Sequence, residues 1–313
     1  MSGFNWAKMP ERGSIWVLQL SFWLLNTLGY YVTRGLMLFP VAYFYLTGPI
    51  SRRASGEYLA KLRSHFPDAL PGSSLFQVFR HHLHFGINIV DRLWLWQGKL
   101  DKFELSFNGR EQIETAGGPG MLLLGAHLGS FDLLRIISSN RTLRVNVVMH
   151  RAHAAAFNAL LKKINPGSDV DVFEMDGDIN KIFMLKERLE QGEMVALTAD
   201  RFAVESRSRG CEVSFLGAPA LFPENPWILA SLLGCPVMFV GGIRTGFRRY
   251  HVFAELITDK VVLPRKTRKQ ALTHYVEDYA GRLETLCRKY PFQWFNFYPF
   301  WADEPKKKEE PAP

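Results

Sequence analysis

Charge divides the chain before any motif is sought. From Ser14 to Thr33 no residue is charged, and after the single Arg34 the run from Gly35 to Ser51 is uncharged again. A helix of about 20 residues matches the thickness of a bilayer core, so a spanning helix followed by a segment broken at Pro40 is one expectation. Gln19, Ser21, Asn26, Gly29 and Thr33 interrupt the apolar run, which leaves a shallow membrane hairpin and a buried helical pair as the others. The run lacks the small-x-small cleavage site of a secretory leader, and Tyr30, Tyr31, Tyr43 and Tyr45 rim it as interfacial aromatics do. Arg52, Arg53, Lys61 and Arg63 follow it, against Lys8 and Arg12 before it, so the positive-inside bias places the rest of the chain on the cytoplasmic side.

Beyond that region the apolar positions Leu75, Phe76, Phe79, Leu83, Ile87, Val90, Leu93 and Trp94 recur at three- and four-residue spacing, which predicts an amphipathic helix to Trp96. After Gly98 the rhythm shortens. Phe103–Phe107, Met121–Gly125, Val145–Met149, Val170–Phe173, Met194–Thr198 and Pro236–Gly241 read as strands, and Ala152–Lys163, Asn180–Gln191, Asn225–Leu233 and Thr267–Lys289 as helices. Strands alternating with helices predict an α/β layered sandwich with a largely parallel central sheet. The organisation expected is an N-terminal membrane-associating helical segment over 1–51, one large domain over 52–305, and a charged tail over 306–313.

Composition narrows the chemistry. Lys and Arg number 38 against 30 Asp and Glu, a net +8, which favours anionic partners such as a phospholipid surface, an acidic carrier protein or nucleic acid. The basic residues track strand ends rather than an aromatic-interleaved stripe, which argues against nucleic acid. Cys211, Cys235 and Cys287 are too far apart for a thiolate knuckle. His81, His82 and His84 diverge around their helix with no acid sharing a face, so no metal site is expected.

In an open α/β sheet the reactive groups lie beyond the carboxyl ends of the strands. The most apolar strand, Met121-Leu122-Leu123-Leu124-Gly125, opens into Ala126-His127-Leu128-Gly129-Ser130-Phe131-Asp132. A histidine at a strand end, a Gly129-Ser130 turn permitting close approach, and Asp132 in the next helical turn allow a carboxylate to fix the imidazole tautomer. The free nitrogen then serves as a base. A core histidine at a strand end fits the position equally well. Gly-x-Ser-x-Gly is absent, so the base would act directly on an acceptor hydroxyl rather than through a protein nucleophile.

The block from Gly125 to Asp132 resembles the His-x4-Asp/Glu motif of the lysophospholipid acyltransferase superfamily, specifically its lipid A biosynthesis late acyltransferase branch. Similarity continues in order through Gln191-Gly192-Glu193-Met194-Val195 into Asp200-Arg201, Val213 to Ala220, Pro226 to Ala230 with Gly234-Cys235-Pro236-Val237, and Tyr290-Pro291 with Gln293-Trp294. It spans Leu75 to Trp301. The resemblance implies a glycerolipid acyltransferase-like fold and a membrane-associated enzyme of a bacterial inner membrane, its catalytic domain on the cytoplasmic side. Such an enzyme moves a fatty acyl group from acyl carrier protein or coenzyme A to a lipid or glycolipid hydroxyl, with no cofactor and no metal.

His127 and Asp132 are then the catalytic pair, and Gly129, Ser130, Arg151, Asp200, Arg201 and Glu224 the substrate-binding residues. Arg151 and Arg201, at strand ends, suit a phosphate bidentately, whereas Arg207 and Arg209 read as surface charge. Where the family ends in a basic run this chain reads Phe295-Asn296-Phe297-Tyr298-Pro299-Phe300-Trp301, an exchange of charge for aromatic surface. A silent lipid-binding scaffold and an acyl thioesterase are the alternatives.

Overall fold

The computed structural model describes residues 15–70, 74–109, 120–130, 133, 144–149, 170–174, 178–202 and 210–301. The expected helix Ala152–Lys163 and the tail 306–313 lie outside them. Four helices come first: α1 (Ile15–Leu36), α2 (Leu38–Thr47), α3 (Pro49–His65) and α4 (Ser74–Trp96). Strands β1 (Glu104–Asn108), β2 (Leu122–Gly125), β3 (Val145–Met149) and β4 (Val170–Glu174) follow. Helix α5 (Ile179–Glu190) leads to β5 (Met194–Thr198), the hairpin β6 (Gly210–Phe215) and β7 (Ala218–Pro223), then α6 (Asn225–Leu233), β8 (Val237–Gly246), β9 (Arg249–Thr258) and α7 (Arg268–Lys289).

Seven strands form one sheet in the order β1-β9-β8-β2-β5-β3-β4, and β6 and β7 pair separately. Strands β8, β2, β5, β3 and β4 are mutually parallel; β9 is antiparallel to β8 and carries β1 parallel to itself. The expected α/β architecture with a mostly parallel sheet is therefore present, with an antiparallel edge and a hairpin that the apolar runs did not announce. Alternation explains why β2 is apolar throughout. Leu122 and Leu124 join the core beneath α3, α5, α6 and α7, while Met121 and Leu123 join the opposite one with Leu95, Leu133 and Tyr250, so a strand with both faces covered carries no polar position.

The spanning helix is corrected. No helix among the described residues is long and apolar enough to cross a membrane. Gly29 (φ 76°) breaks α1, and Leu25, Tyr30 and Met37 are buried with Val90 and Leu93 of α4. Inside this contact the Asp91 carboxylate accepts from the Tyr30 and Tyr250 hydroxyls, both at 2.5 Å, with Arg34 Nη1 at 3.5 Å. Helix α3 runs through the expected boundary at 51/52 and gives Tyr58, Leu59 and Leu62 to the main core.

Candidate active site

Strands β2 and β5 are parallel neighbours with Gly125 opposite Thr198. The ladder continues one step further, Ala199 N–H donating to the Gly125 carbonyl at 3.0 Å. His127 and Asp200, each two residues past its strand end, consequently leave the sheet side by side. The imidazole Nδ1 lies 2.8 Å from Asp200 Oδ1. Asp200 Oδ2 accepts from the His127 backbone N–H and from the Trp294 indole N–H, each at 3.0 Å.

The side chain of Asp200 is fully buried and that of His127 is 37% exposed. With Nδ1 held by the carboxylate, the proton belongs on Nδ1 and the lone pair on Nε2; among the described residues none hydrogen-bonds Nε2. Burial alone would raise the Asp200 carboxyl. The charge and hydrogen bond of His127, the Arg201 guanidinium and the Trp294 N–H together outweigh it and hold the carboxyl far below the ordinary range. His127 is shifted downward, first by burial and then by Arg201, against the opposing pull of Asp200. The pair therefore rests as carboxylate and neutral imidazole.

Residues 293–296 close over this loop. Gly129 N–H donates to the Gln293 carbonyl, Phe295 N–H to the His127 carbonyl, and the Gln293 side-chain amide pairs with both backbone groups of Arg244 in β8. From the helical side, Asn88 Nδ2 of α4 donates to the Gly129 carbonyl at 3.1 Å. Gly129 itself has φ 60°, and a Cβ there would sit 2.1 Å from the Gly242 carbonyl oxygen; backbone approach to β8 demands glycine.

The other expected site residues fall as follows. Ser130 is buried, its N–H bonded to the Gly242 carbonyl at 2.7 Å, so with Gly129 it shapes the turn. Asp200, expected to bind substrate, faces His127 and Trp294. Arg201 donates to the Phe295 carbonyl and lies 5.3 Å from the centre of the Tyr298 ring. Glu224 is the residue before α6; its carbonyl accepts from Trp227 and Ile228 N–H, and its side chain makes no capping hydrogen bond. Asp132, Arg151, Arg207 and Arg209 lie outside the described residues. The sequence offers Trp294 only as part of a motif. Its tie to Asp200 had no local sequence signal, because 94 residues separate the two.

A strand-end imidazole held by a buried carboxylate suits several reactions, and comparison with known proteins decides among families. The family described as "Bacterial lipid A biosynthesis acyltransferase" matches residues 79–302. The chain belongs to that family. Its matched region contains His127, Asp200 and Trp294 together. Among solved structures the chain is similar to the 1-acyl-sn-glycerophosphate (LPA) acyltransferase PlsC from Thermotoga maritima, at 13% identity and a TM-score of 0.35 over 86% of this chain and 97% of that one. No curated protein matches.

Proposed function

We propose that this family member is an O-acyltransferase that moves a fatty acyl group from a thioester to a hydroxyl of a lipid or glycolipid acceptor. The observation that carries the reading is the 2.8 Å contact between His127 Nδ1 and the buried Asp200 carboxylate, which leaves Nε2 as a neutral base at the mouth of the sheet. Nε2 takes the acceptor's hydroxyl proton as its oxygen attacks the thioester carbonyl. As the carbon–sulfur bond breaks, the departing thiolate recovers that proton from the imidazolium. Asp200 stays ionised throughout, holding the tautomer and offsetting the transient positive charge, the orienting half of a triad.

Acyl carrier protein is the proposed donor, with coenzyme A as the other thioester source, and the net +8 supports an acidic carrier and an anionic membrane surface alike. Within this reading Arg151 and Arg201 are proposed to meet phosphate and Glu224 the acceptor. The proposed location is the cytoplasmic face of a bacterial inner membrane.

Transfer of a radiolabelled acyl chain from acyl carrier protein into a total lipid extract tests the reading. H127A should fold and lose about 10²–10⁴ in rate, and turnover near wild type would remove His127 from the mechanism. Labelled free acid as the main product would make the protein a thioesterase, and no product would make it a scaffold. D200N and D132N identify the orienter: D200N is expected to match H127A within tenfold while D132N retains more activity, and the reverse ranking would assign the role to the His-x4-Asp partner.

A further inference from the structure

The Asp200 carboxylate has two oxygens and three N–H donors around it. Oδ1 faces His127 Nδ1, while Oδ2 is clamped from two directions by the His127 backbone and the Trp294 indole. We infer that Trp294 is a positioning residue of the acyltransferase: its indole N–H fixes the rotation of Asp200 and thereby the aim of the His127 base. The inference rests on the general-base reading above and adds a residue to it.

Trp294 is itself held from several sides. Its carbonyl accepts from His81 Nε2 at 2.8 Å, and the Ser55 hydroxyl meets the other ring nitrogen of His81 at 2.8 Å. Burial pushes His81 down to about 3, so it stays neutral, with its proton on Nε2 and Ser55 donating to Nδ1. The Tyr58 hydroxyl donates to the neighbouring Pro291 carbonyl at 2.9 Å. The indole ring is enclosed edge-on by Tyr58, Phe215 and Phe300, with centroids 5.0–5.3 Å away. A chain of contacts thus runs from α3 through α4 and the closing segment to Asp200 and ends at the base.

Two effects follow from the N–H. It restrains the carboxylate, and as a donor it makes Asp200 a weaker acceptor toward His127. Its loss should therefore scatter the orientation of the imidazole while strengthening the pull of Asp200 on the imidazole proton.

W294F keeps an aromatic ring and removes the donor. Expected are a kcat lower by about tenfold, in the range found when groups supporting a site's ligands are removed, a KM for acyl-carrier thioester unchanged within twofold, and an acid limb of the pH–kcat/KM profile moved to higher pH. Because the effect passes through Asp200, W294F should cost nothing further in a D200N background, a non-additivity that a packing role does not produce. Should W294F fail to fold, replacing Trp294 by β-(3-benzothienyl)alanine keeps the bicyclic shape, substitutes sulfur for N–H, and carries the same expectations. A folded variant with wild-type kcat and an unmoved acid limb, or one whose loss adds fully to that of D200N, overturns the role of Trp294. Inactive H127A alongside such a variant leaves the general-base reading standing, whereas active H127A removes both.

Discussion

The working pH range of His127 depends on a neighbouring cation as well as on its own burial. Arg201 opposes protonation of the imidazole, and the Phe295 carbonyl and the Tyr298 ring keep its guanidinium near the site. In the proposed mechanism the base must be neutral to accept a proton, so activity is expected to fall as pH drops through the folded-state value, which lies below the ordinary 6.5. R201Q removes the opposing charge, should raise that value, and should move the acid limb of kcat/KM to higher pH. R201K retains charge and should move it less. An acid limb in R201Q that stays in place or moves to lower pH would show that the Arg201 charge does not set the range. Part of this site was legible in the sequence: His127 and Asp200 could both be placed at the ends of apolar strands. Their partnership could not, because it depends on β2 and β5 being sheet neighbours, and strand order is set by tertiary packing across a sequence separation of 73.

Helix α4 links the site to the N-terminal helices through polar side chains. His81 bonds the Trp294 carbonyl, Asn88 the Gly129 carbonyl, and Asp91 the hydroxyls of Tyr30 and Tyr250. The apolar periodicity located the helix well but not its burial. Phe76 and Phe85 of α4 are exposed, whereas His81, Asn88 and Asp91 are buried. A helix that satisfies a neighbouring loop's backbone must turn polar groups inward, and such groups leave no mark in a hydrophobic pattern. Asp91 makes the largest energetic demand of this set. Burial raises its carboxyl, even with both hydroxyls and the charges of Arg34 and Arg244 opposing. D91A would leave two buried tyrosine hydroxyls without their acceptor, and the expected cost is about 3 kcal/mol, read as a lower urea midpoint at unchanged slope. An unchanged midpoint would mean that α1 and β9 do not depend on this junction.

At the scale of the whole molecule, the N-terminal helices, none of them long and apolar enough to cross a membrane, leave several large apolar side chains exposed. Trp23 is 59% exposed, Phe39 71% and Leu46 70%, with Tyr31, Tyr43 and Phe76 also exposed on the same three packed helices, α1, α2 and α4. Exposed apolar side chains that form one patch mark a contact surface, and with a net charge of +8 the partner proposed for these helices is an anionic bilayer entered to shallow depth. Deleting residues 1–51 is a poor test, because Leu25, Tyr30, Met37 and Val41 of that segment are buried and their loss would disturb the domain as well as the surface. Point substitutions separate the two. Seating Trp23, Phe39 and Leu46 even partly among acyl chains is worth about 1 kcal/mol each, below the full-burial value, so the triple replacement by Gln should weaken partitioning by roughly 100-fold. The measurement is co-sedimentation with phosphatidylglycerol vesicles at high salt, where Coulombic adsorption is screened and the apolar contribution stands alone. Wild type should still sediment with the vesicles and the variant should not, while both retain the same thermal midpoint. Equal sedimentation of the two at high salt would place the membrane contact elsewhere on the molecule.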